Sequence, residues 1–206
     1  MHTQWLGYFC AFLILLIVGL GNPEPEYRYT RHNMGAECLN KFAFDYNITL
    51  TAYKFKSLFG TGFLCDKKII LLKPLTYMNK SGEAVAAALK YYKISDLVND
   101  LIIVVDDLAT ELGNIRLKPG GGAGGHNGLT DIINKLETQN FARLRIGIGA
   151  KPPYIKQNDY VLSGFLKSEN AAFIEGLTKA TDALFLVLKD GLDKAMNSVN
   201  LKIKPE

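Results

Sequence analysis

The stretch LIIVVDD, residues 101 to 107, decides the fold class. Its five leading residues are all apolar, and such a continuous run is typical of a strand covered on both faces in a parallel sheet. The stretch ends in two carboxylates, Asp106 and Asp107. Ligands of parallel sheets gather at the carboxyl ends of the strands, so we expect these acidic residues to lie at a functional site.

Strands and helices alternate along the chain on both sides of this strand. Hydrophobic periodicity predicts strands at 13–20, 101–107, 112–118 and 141–149, two strands within 57–72 joined at Asp66 and Lys67, and helices at 33–46, 81–92, 127–137 and 168–189. Residues 151–159 lack periodicity and indicate a mobile loop. This order predicts an α/β class protein, a single-domain α/β/α sandwich around a mixed, largely parallel sheet. Three polar groups fall at predicted strand ends: Asn22, Asp106 and the loop before Asn127.

Composition and charge restrict the function classes. A chain of 206 residues with 48% hydrophobic and 21% charged residues fits one compact domain. Lys and Arg exceed Asp and Glu by 24 to 20, so the total charge does not indicate a nucleic-acid partner and its distribution must decide.

The cysteines and histidines give no sign of a metal, disulfide or cofactor site. The three cysteines contain no C-x-x-C pair and cannot all pair with one another, which favours a reducing, cytoplasmic setting. The histidines share no ligand-like spacing, so we predict no metal. We also predict no cofactor, because the two nucleotide-binding patterns of the chain, at 18–25 and 120–127, are both incomplete. The cysteines and histidines are Cys10, Cys38, Cys65, His2, His32 and His126.

The N-terminus contains a long apolar run. Residues 5–20 are sixteen uncharged residues, fewer than the ~20 that a membrane helix needs. No Lys or Arg precedes the run and no small-residue cleavage site follows it, unlike a secretory signal. We therefore interpret 13–206 as one catalytic domain without a membrane role. We interpret 1–12 as an N-terminal extension, which would be explained if the start codon had been assigned too far upstream. A membrane or targeting role for the extension is the alternative.

The glycine-rich stretch GGGAGGHNGL, residues 120–129, exposes main chain. Its outer spacing matches a P-loop, but His126 and Asn127 stand where that motif requires Lys and Ser or Thr. Residues 18–25, VGLGNPEP, resemble a dinucleotide fingerprint, but their prolines break the helix that would receive the pyrophosphate. The glycines are instead suited to close approach by a bulky ligand. A glycine-rich hinge or disordered loop is the alternative.

His32 is the candidate general base. A histidine acts as a base near neutral pH when a carboxylate fixes its tautomer and stabilises the imidazolium. Asp106 is the candidate partner, and the pattern leaves Asp107 open. There is no G-x-S-x-G motif and no cysteine in a suitable setting, so water activated by His32 is the simplest mechanism. A capping or surface role for His32 is the alternative.

Three asparagines and four cations are further candidates. Asn22, Asn79 and Asn127 stand at turns or helix starts, where asparagine is common for capping alone, but their amides can also bind a carbonyl or oxyanion. Alternation places basic residues on one face of each of two strands. A solvated strand face is the alternative to a phosphate-binding seat. The four cations are Arg116, Lys118, Arg143 and Arg145.

Several blocks of sequence together resemble the bacterial-type peptidyl-tRNA hydrolases, from about residue 15 to residue 200. The blocks are IVGLGNPEPEYRYTRHNMG, KPLTYMNKSGEAV, VVDDL, GNIRLK, GGGAGGHNGL, FARLRIGIG, DYVLSGF and DGLDKAMN. The resemblance implies a monomeric α/β enzyme that cleaves the ester between a peptide and its tRNA without a metal. Its partners would be the acceptor stem and 3′ end of the tRNA and the nascent peptide.

The resemblance also implies roles for single residues. His32 corresponds to the catalytic base, Asp106 to the carboxylate that holds it, and Asn22 to the residue that senses the first peptide unit and helps to place the water. Asn79 and Asn127 match substrate-binding positions, and His126, which directly precedes Asn127, is expected to bind substrate with them. The positions that resemble tRNA contacts are Tyr27 and Tyr77 for aromatic contacts, and Lys118 and Arg145, with Arg116 and Arg143 beside them, for the 5′ phosphate.

The chain departs from the family pattern in two places. Ala109 stands where the family usually has a second acidic residue, which affects the loop behind the base. The extension at 1–12 is the other departure. A catalytically silent RNA-binding relative of the kind that assists organellar intron splicing is the alternative function, but the retained His32, Asp106 and asparagines favour the hydrolase.

Overall fold

A mixed sheet forms the centre of the molecule, as expected, and it has seven strands. The computed structural model describes residues 13–201, so the predicted extension at 1–12 lies outside the described residues. The strands are β1 Ile14–Gly19, β2 Ala52–Lys54, β3 Ser57–Leu64, β4 Lys67–Pro74, β5 Leu101–Asp107, β6 Ile115–Lys118 and β7 Ala142–Gly147. Their order is β2-β3-β4-β1-β5-β7-β6. The four central strands β4, β1, β5 and β7 are parallel, and β2, β3 and β6 add antiparallel edges.

Helices cover both faces of the sheet. They are α1 Met34–Asp45, α2 Ser81–Tyr92, α3 Leu97–Asp100, α4 Asn127–Leu136, α5 Gln157–Val161, α6 Asn170–Asp190 and α7 Leu192–Leu201. Alternate residues of β1 enter two separate cores: Leu15 and Ile17 pack with α1, α6 and α7, whereas Leu16 and Val18 pack with α2 and α4. This two-sided burial explains why β1 and β5 are continuous apolar runs.

The N-terminal part of α1 packs very closely on the sheet. Leu20 N donates to Val104 O at 3.1 Å and Ala36 N donates to Leu20 O at 2.8 Å. A Cβ atom on Gly35 would lie 2.2 Å from Val104 O, so only glycine allows this approach. The turn before α1, residues 31–33, is thereby held at the carboxyl end of β5.

Several element boundaries differ from the sequence-based expectation. The β3–β4 turn is Cys65–Asp66, both with positive φ, one residue earlier than predicted. Residues 151–159 run into α5, and the terminal helix is interrupted at Gly191, where φ is 85°, and continues as α7. β2 was not predicted at all, because three residues are too few for a periodicity to show.

The expected alternation in β7 is also wrong, since all six of its residues are buried. β7 lies between β5 and β6, and the glycine-rich loop covers the face on which its arginines lie. β6 does alternate as predicted, with Arg116 and Lys118 exposed.

Two further expectations concern the membrane and the cysteines. Nowhere in residues 13–201 is a helix both long and apolar enough to cross a bilayer. Cys38 and Cys65 are free thiols, while Cys10 lies outside the described residues.

Candidate active site

Asp106 lies at the centre of a buried side-chain cluster. Its Oδ1 atom accepts hydrogen bonds from His32 Nδ1 at 2.8 Å and from His126 Nε2 at 3.0 Å. β5 supplies Asp106 at its carboxyl end, the turn before α1 supplies His32, and His126 is the N-cap of α4. All three residues are buried. The carboxylate that pairs with His32 is therefore Asp106, whereas Asp107 binds Thr110 and Arg145.

The hydrogen bonds fix the tautomers of both histidines. Leu129 N donates to His126 Nδ1 at 3.2 Å, so His126 Nδ1 carries no proton and Nε2 donates its own proton to Asp106. An ionised carboxylate only accepts, so His32 Nδ1 also donates to it. In the neutral ring the lone pair is therefore on His32 Nε2, which is the atom that a general base uses.

The ionisation of Asp106 follows from the same contacts. Burial by itself raises the pKa of this carboxyl, but the attraction and hydrogen bonds of His126 and His32 outweigh burial and hold the pKa well below its usual range. Asp106 is therefore a carboxylate at neutral pH. A fixed negative charge beside His32 stabilises the imidazolium that forms when this ring takes a proton.

The fold brings His32, Asp106 and His126 together, although they are far apart in the sequence. Their potential metal-ligand atoms all lie within 4.8 Å of one another. A cation at their centre would need a lone pair from each ring nitrogen that faces Asp106. Both of those nitrogens carry protons that are donated to Asp106 at 2.8 and 3.0 Å. The arrangement is that of a hydrogen-bonded triad.

Asn22 is held in place by Asn33, a residue to which the sequence assigned no role. Asn22 N donates to Asn33 Oδ1 and Asn33 Nδ2 donates to Asn22 O, both at 2.9 Å. Asn22 Oδ1 accepts from Met78 N at 3.1 Å. Within residues 13–201, the Asn22 Nδ2 group has no hydrogen-bond partner, so it is available to a substrate. The one sequence feature that could have indicated a role for Asn33 is its position directly after His32.

The adjacent residues His32 and Asn33 line two different cavities. His32, Asp106, His126 and Asn127 line the first, together with two side chains from the 151–159 segment that sequence reasoning missed, Gln157 and Asn158. Asn22 and Asn33 line the second, which has a volume of about 700 Å³. The structure thus brings the candidate base and the Asn22 amide to neighbouring cavities, on either side of the turn before α1.

The remaining asparagine and the aromatic candidates lie outside the buried triad and line neither cavity. Tyr77 and Asn79 are exposed in the segment before α2, and Tyr27 is half-buried. An interaction with Glu24, which lines the second cavity, raises the pKa of the Tyr77 phenol.

The glycine-rich loop rests on two arginines. Arg143 donates to the carbonyl oxygens of Gly121, Gly122 and Gln139, and its guanidinium lies 4.4 Å from the centre of the Phe141 ring. Arg145 donates to Gly122 O at 2.9 Å and to Asp107 at 3.3 Å. The loop is therefore bound from below and is not a free hinge.

These contacts change the expectation for the four cations. Arg143 has no exposed surface, and its two terminal nitrogens donate to main-chain carbonyls, so its expected place beside the phosphate seat is corrected to a place under the loop. Arg145 is also buried, at the side of the cavity that His32 and Asp106 line. In the antiparallel pairing of β6 with β7, Lys118 lies opposite Arg143 and Arg116 lies opposite Arg145. Lys118 and Arg116 are both exposed on the edge strand β6.

Comparisons with known proteins agree with this fold. The family model described as peptidyl-tRNA hydrolase matches residues 16–206. The peptidyl-tRNA hydrolase of Lachnoclostridium phytofermentans is 42% identical over 91% of this chain and 97% of its own length, and that of Agathobacter rectalis is 43% identical over 90% and 99%. A crystal structure of the Acinetobacter baumannii peptidyl-tRNA hydrolase superposes with a TM-score of 0.84 at 40% identity, covering 91% of this chain and 94% of that one. This chain belongs to the peptidyl-tRNA hydrolase family.

Proposed function

We propose that this chain hydrolyses the ester bond of peptidyl-tRNA and so releases the peptide and free tRNA. The observation that carries the proposal is the buried His32–Asp106 pair, in which His32 Nε2 is left with a free lone pair. The fit to the family and its solved structures supports the same conclusion.

The chemistry follows from the tautomers. His32 Nε2 takes a proton from a water molecule as the water oxygen attacks the ester carbonyl, whose electron pair moves onto its oxygen. When the tetrahedral intermediate collapses, the ester C–O bond breaks and His32 returns the proton to the 3′ oxygen of the tRNA. Base assistance of this kind supplies about 10² to 10⁴ in rate, and positioning supplies much of the rest.

The asparagines supply substrate binding in this proposal. Asn22 Nδ2 donates to the first peptide unit or to the carbonyl, which distinguishes peptidyl-tRNA from aminoacyl-tRNA. Asn127 and Asn79 bind the substrate on either side of the ester. His126 was expected to bind substrate as well, but both of its ring nitrogens are engaged, so we assign it to holding Asp106 in place.

The tRNA is held by aromatic and basic side chains in this proposal. Tyr27 and Tyr77 contact the 3′ end, and Lys118, Arg116 and Arg145 bind the 5′ phosphate. We infer a cytoplasmic location because the substrate arises during translation, and a monomer because one chain supplies the whole triad. No residue is assigned to a metal, a cofactor or a membrane.

One assay tests this function directly. The purified chain is incubated with N-acetylated aminoacyl-tRNA and with free aminoacyl-tRNA, in the presence of EDTA, and release of the aminoacyl group is measured. We expect cleavage of the blocked substrate alone. Binding of tRNA without cleavage would support the silent RNA-binding alternative, and loss of activity that added Zn²⁺ restores would contradict a metal-independent mechanism.

A second prediction concerns the exposed cations of β6. The Arg116→Ala and Lys118→Ala double variant should bind deacylated tRNA more weakly, and the slope of log Kd against log salt concentration should fall by about 2, because each lost phosphate contact removes about 1. Hydrolysis of a minimal N-acetylaminoacyl-adenosine ester serves as the control and should stay within about twofold of wild type. Equal loss on both substrates would show that these side chains do not form a phosphate seat.

A further inference from the structure

A surface groove with no assigned role runs along the outer side of α2. Its floor is formed by Ala86 and Ala87 and one wall by Phe55 of the β2–β3 turn, and its volume is about 570 Å³. The remaining lining residues are charged. We call this surface the α2 groove; the charged residues that line it are Lys56, Lys90, Lys135 and Glu83.

Lysines outnumber carboxylates among the residues that line the groove, and Asp131, which accepts from Gly82 N at 2.7 Å, adds one negative charge at its border. In the part of the chain that the structure describes, Glu83 is the only acidic side chain lining the groove, and it pairs with Lys56 at 2.7 Å. Lys90 and Lys135 are exposed. A surface with this balance attracts a polyanion.

Aromatic rings fix a further cation beside the groove. Lys54 Nζ lies 3.4 Å from the centre of the Tyr91 ring, and Tyr91, which is 58% exposed, packs against Phe55 with ring centres 5.3 Å apart. A lysine held over an aromatic face keeps its charge without a carboxylate partner. Rings interleaved with lysines are a common arrangement on surfaces that bind RNA.

The turn that forms the groove wall is conformationally unfavourable for its residues. Phe55 and Lys56 both have positive φ, 56° and 53°. A two-residue hairpin turn of this kind prefers Asn–Gly, and a bulky residue there is an outlier. The strain falls on two residues that line the groove, and strained backbone of this kind clusters at functional positions.

The groove and the catalytic pocket are connected by one rigid element. Asn127, the first residue of α4, lines the catalytic pocket, and Lys135 in the last turn of the same helix lines the groove. At about 1.5 Å per residue, the two positions are ~12 Å apart along the helix axis. A tRNA whose 3′ end lies in the pocket and whose acceptor stem runs along α4 brings its phosphates to these lysines at a high effective concentration.

We propose that the α2 groove is a second tRNA-binding surface, whose lysines contact backbone phosphates of the tRNA body beyond its 3′ end. The inference rests on the proposed function, because a tRNA docked at the triad is the polyanion already present beside the groove. An acidic protein segment would also complement the charge of the groove. The proposed function, however, brings a tRNA and not such a segment to the catalytic pocket, which lies ~12 Å from Lys135 along α4.

The test compares matched charge variants. Lys90→Gln with Lys135→Gln alters the groove, whereas Lys189→Gln with Lys194→Gln removes the same charge from exposed positions on α6 and α7, which cover the opposite face of the sheet. Binding of deacylated tRNA is measured over a range of salt concentrations, and hydrolysis is measured on the minimal N-acetylaminoacyl-adenosine ester. Thermal unfolding confirms that each variant is folded.

For the groove variant we expect about a tenfold increase in the Kd for tRNA and a decrease of about 2 in the salt slope. Turnover of the minimal ester should be unchanged, and the control variant should behave as wild type. An unchanged Kd and slope in the groove variant, or an equal loss in the control variant, would overturn the proposal. Failure of the wild-type chain to cleave N-acetylaminoacyl-tRNA would instead count against the proposed function.

Discussion

We expect the His32→Ala variant to lose at least about 10²-fold in kcat for release of the acyl group from N-acetylaminoacyl-tRNA, because it lacks the ring nitrogen that we propose takes a proton from water. His32 Nδ1 is committed to Asp106, so the reactive nitrogen is Nε2 and no neighbour can replace it. His126, the other ring beside Asp106, has both nitrogens in use. Single-turnover measurement under saturating enzyme isolates the chemical step.

Binding of deacylated tRNA is the control for the His32→Ala variant. His32 makes no contact with the basic residues of β6, so His32→Ala should bind deacylated tRNA with wild-type Kd and salt slope. Retention of more than about a tenth of wild-type turnover would contradict the assignment of His32 as the base.

We expect the Gly35→Ala variant to lose both folding stability and hydrolytic activity. The added Cβ would lie 2.2 Å from Val104 O and 2.7 Å from Leu20 N, and these are main-chain atoms of the central sheet that cannot move aside. Overpacking of this kind lowers the free energy of unfolding by about 1–3 kcal/mol, occasionally more. It also displaces the start of α1, and with it His32, from Asp106. Urea unfolding and turnover of the minimal ester measure the two effects.

Gly164→Ala is the matched control, because an added Cβ there has no atom within 4 Å. It should change the free energy of unfolding by less than about 0.5 kcal/mol and leave turnover unchanged. Wild-type stability in Gly35→Ala would show that α1 and β5 can separate without cost, and the account of how the site is positioned would be wrong.

The sequence predicts those parts of the fold in which local pattern and burial coincide. β5 has the predicted bounds, 101–107, and α2 the predicted bounds, 81–92, because a continuous apolar run and a series of good helix formers each have one interpretation. β7 shows the limit. Its alternating arginines resemble a solvated strand face, and only the loop that folds over them buries Arg143.

The candidate site likewise contains features that the sequence predicts and features that only the fold reveals. A histidine after a turn and a carboxylate at a strand end can be predicted as separate features, but His32 and Asp106 are 74 residues apart, and no local pattern distinguishes Asp106 from Asp107. The tautomer of His126 depends on a single main-chain donor, Leu129 N. The clamp of Asn33 on Asn22 likewise exists only once the first strand and α1 have packed together.

The arginines beneath residues 120–125 have a consequence for substrate association. A glycine-rich segment ordinarily samples many conformations, and a ligand that selects one of them loses affinity for that reason. Here Arg143 and Arg145 hold the segment through its carbonyl groups, so most of that conformational entropy is lost when the protein folds. The main chain that faces the substrate is a preorganised platform, and affinity at the encounter is not reduced by an ordering step.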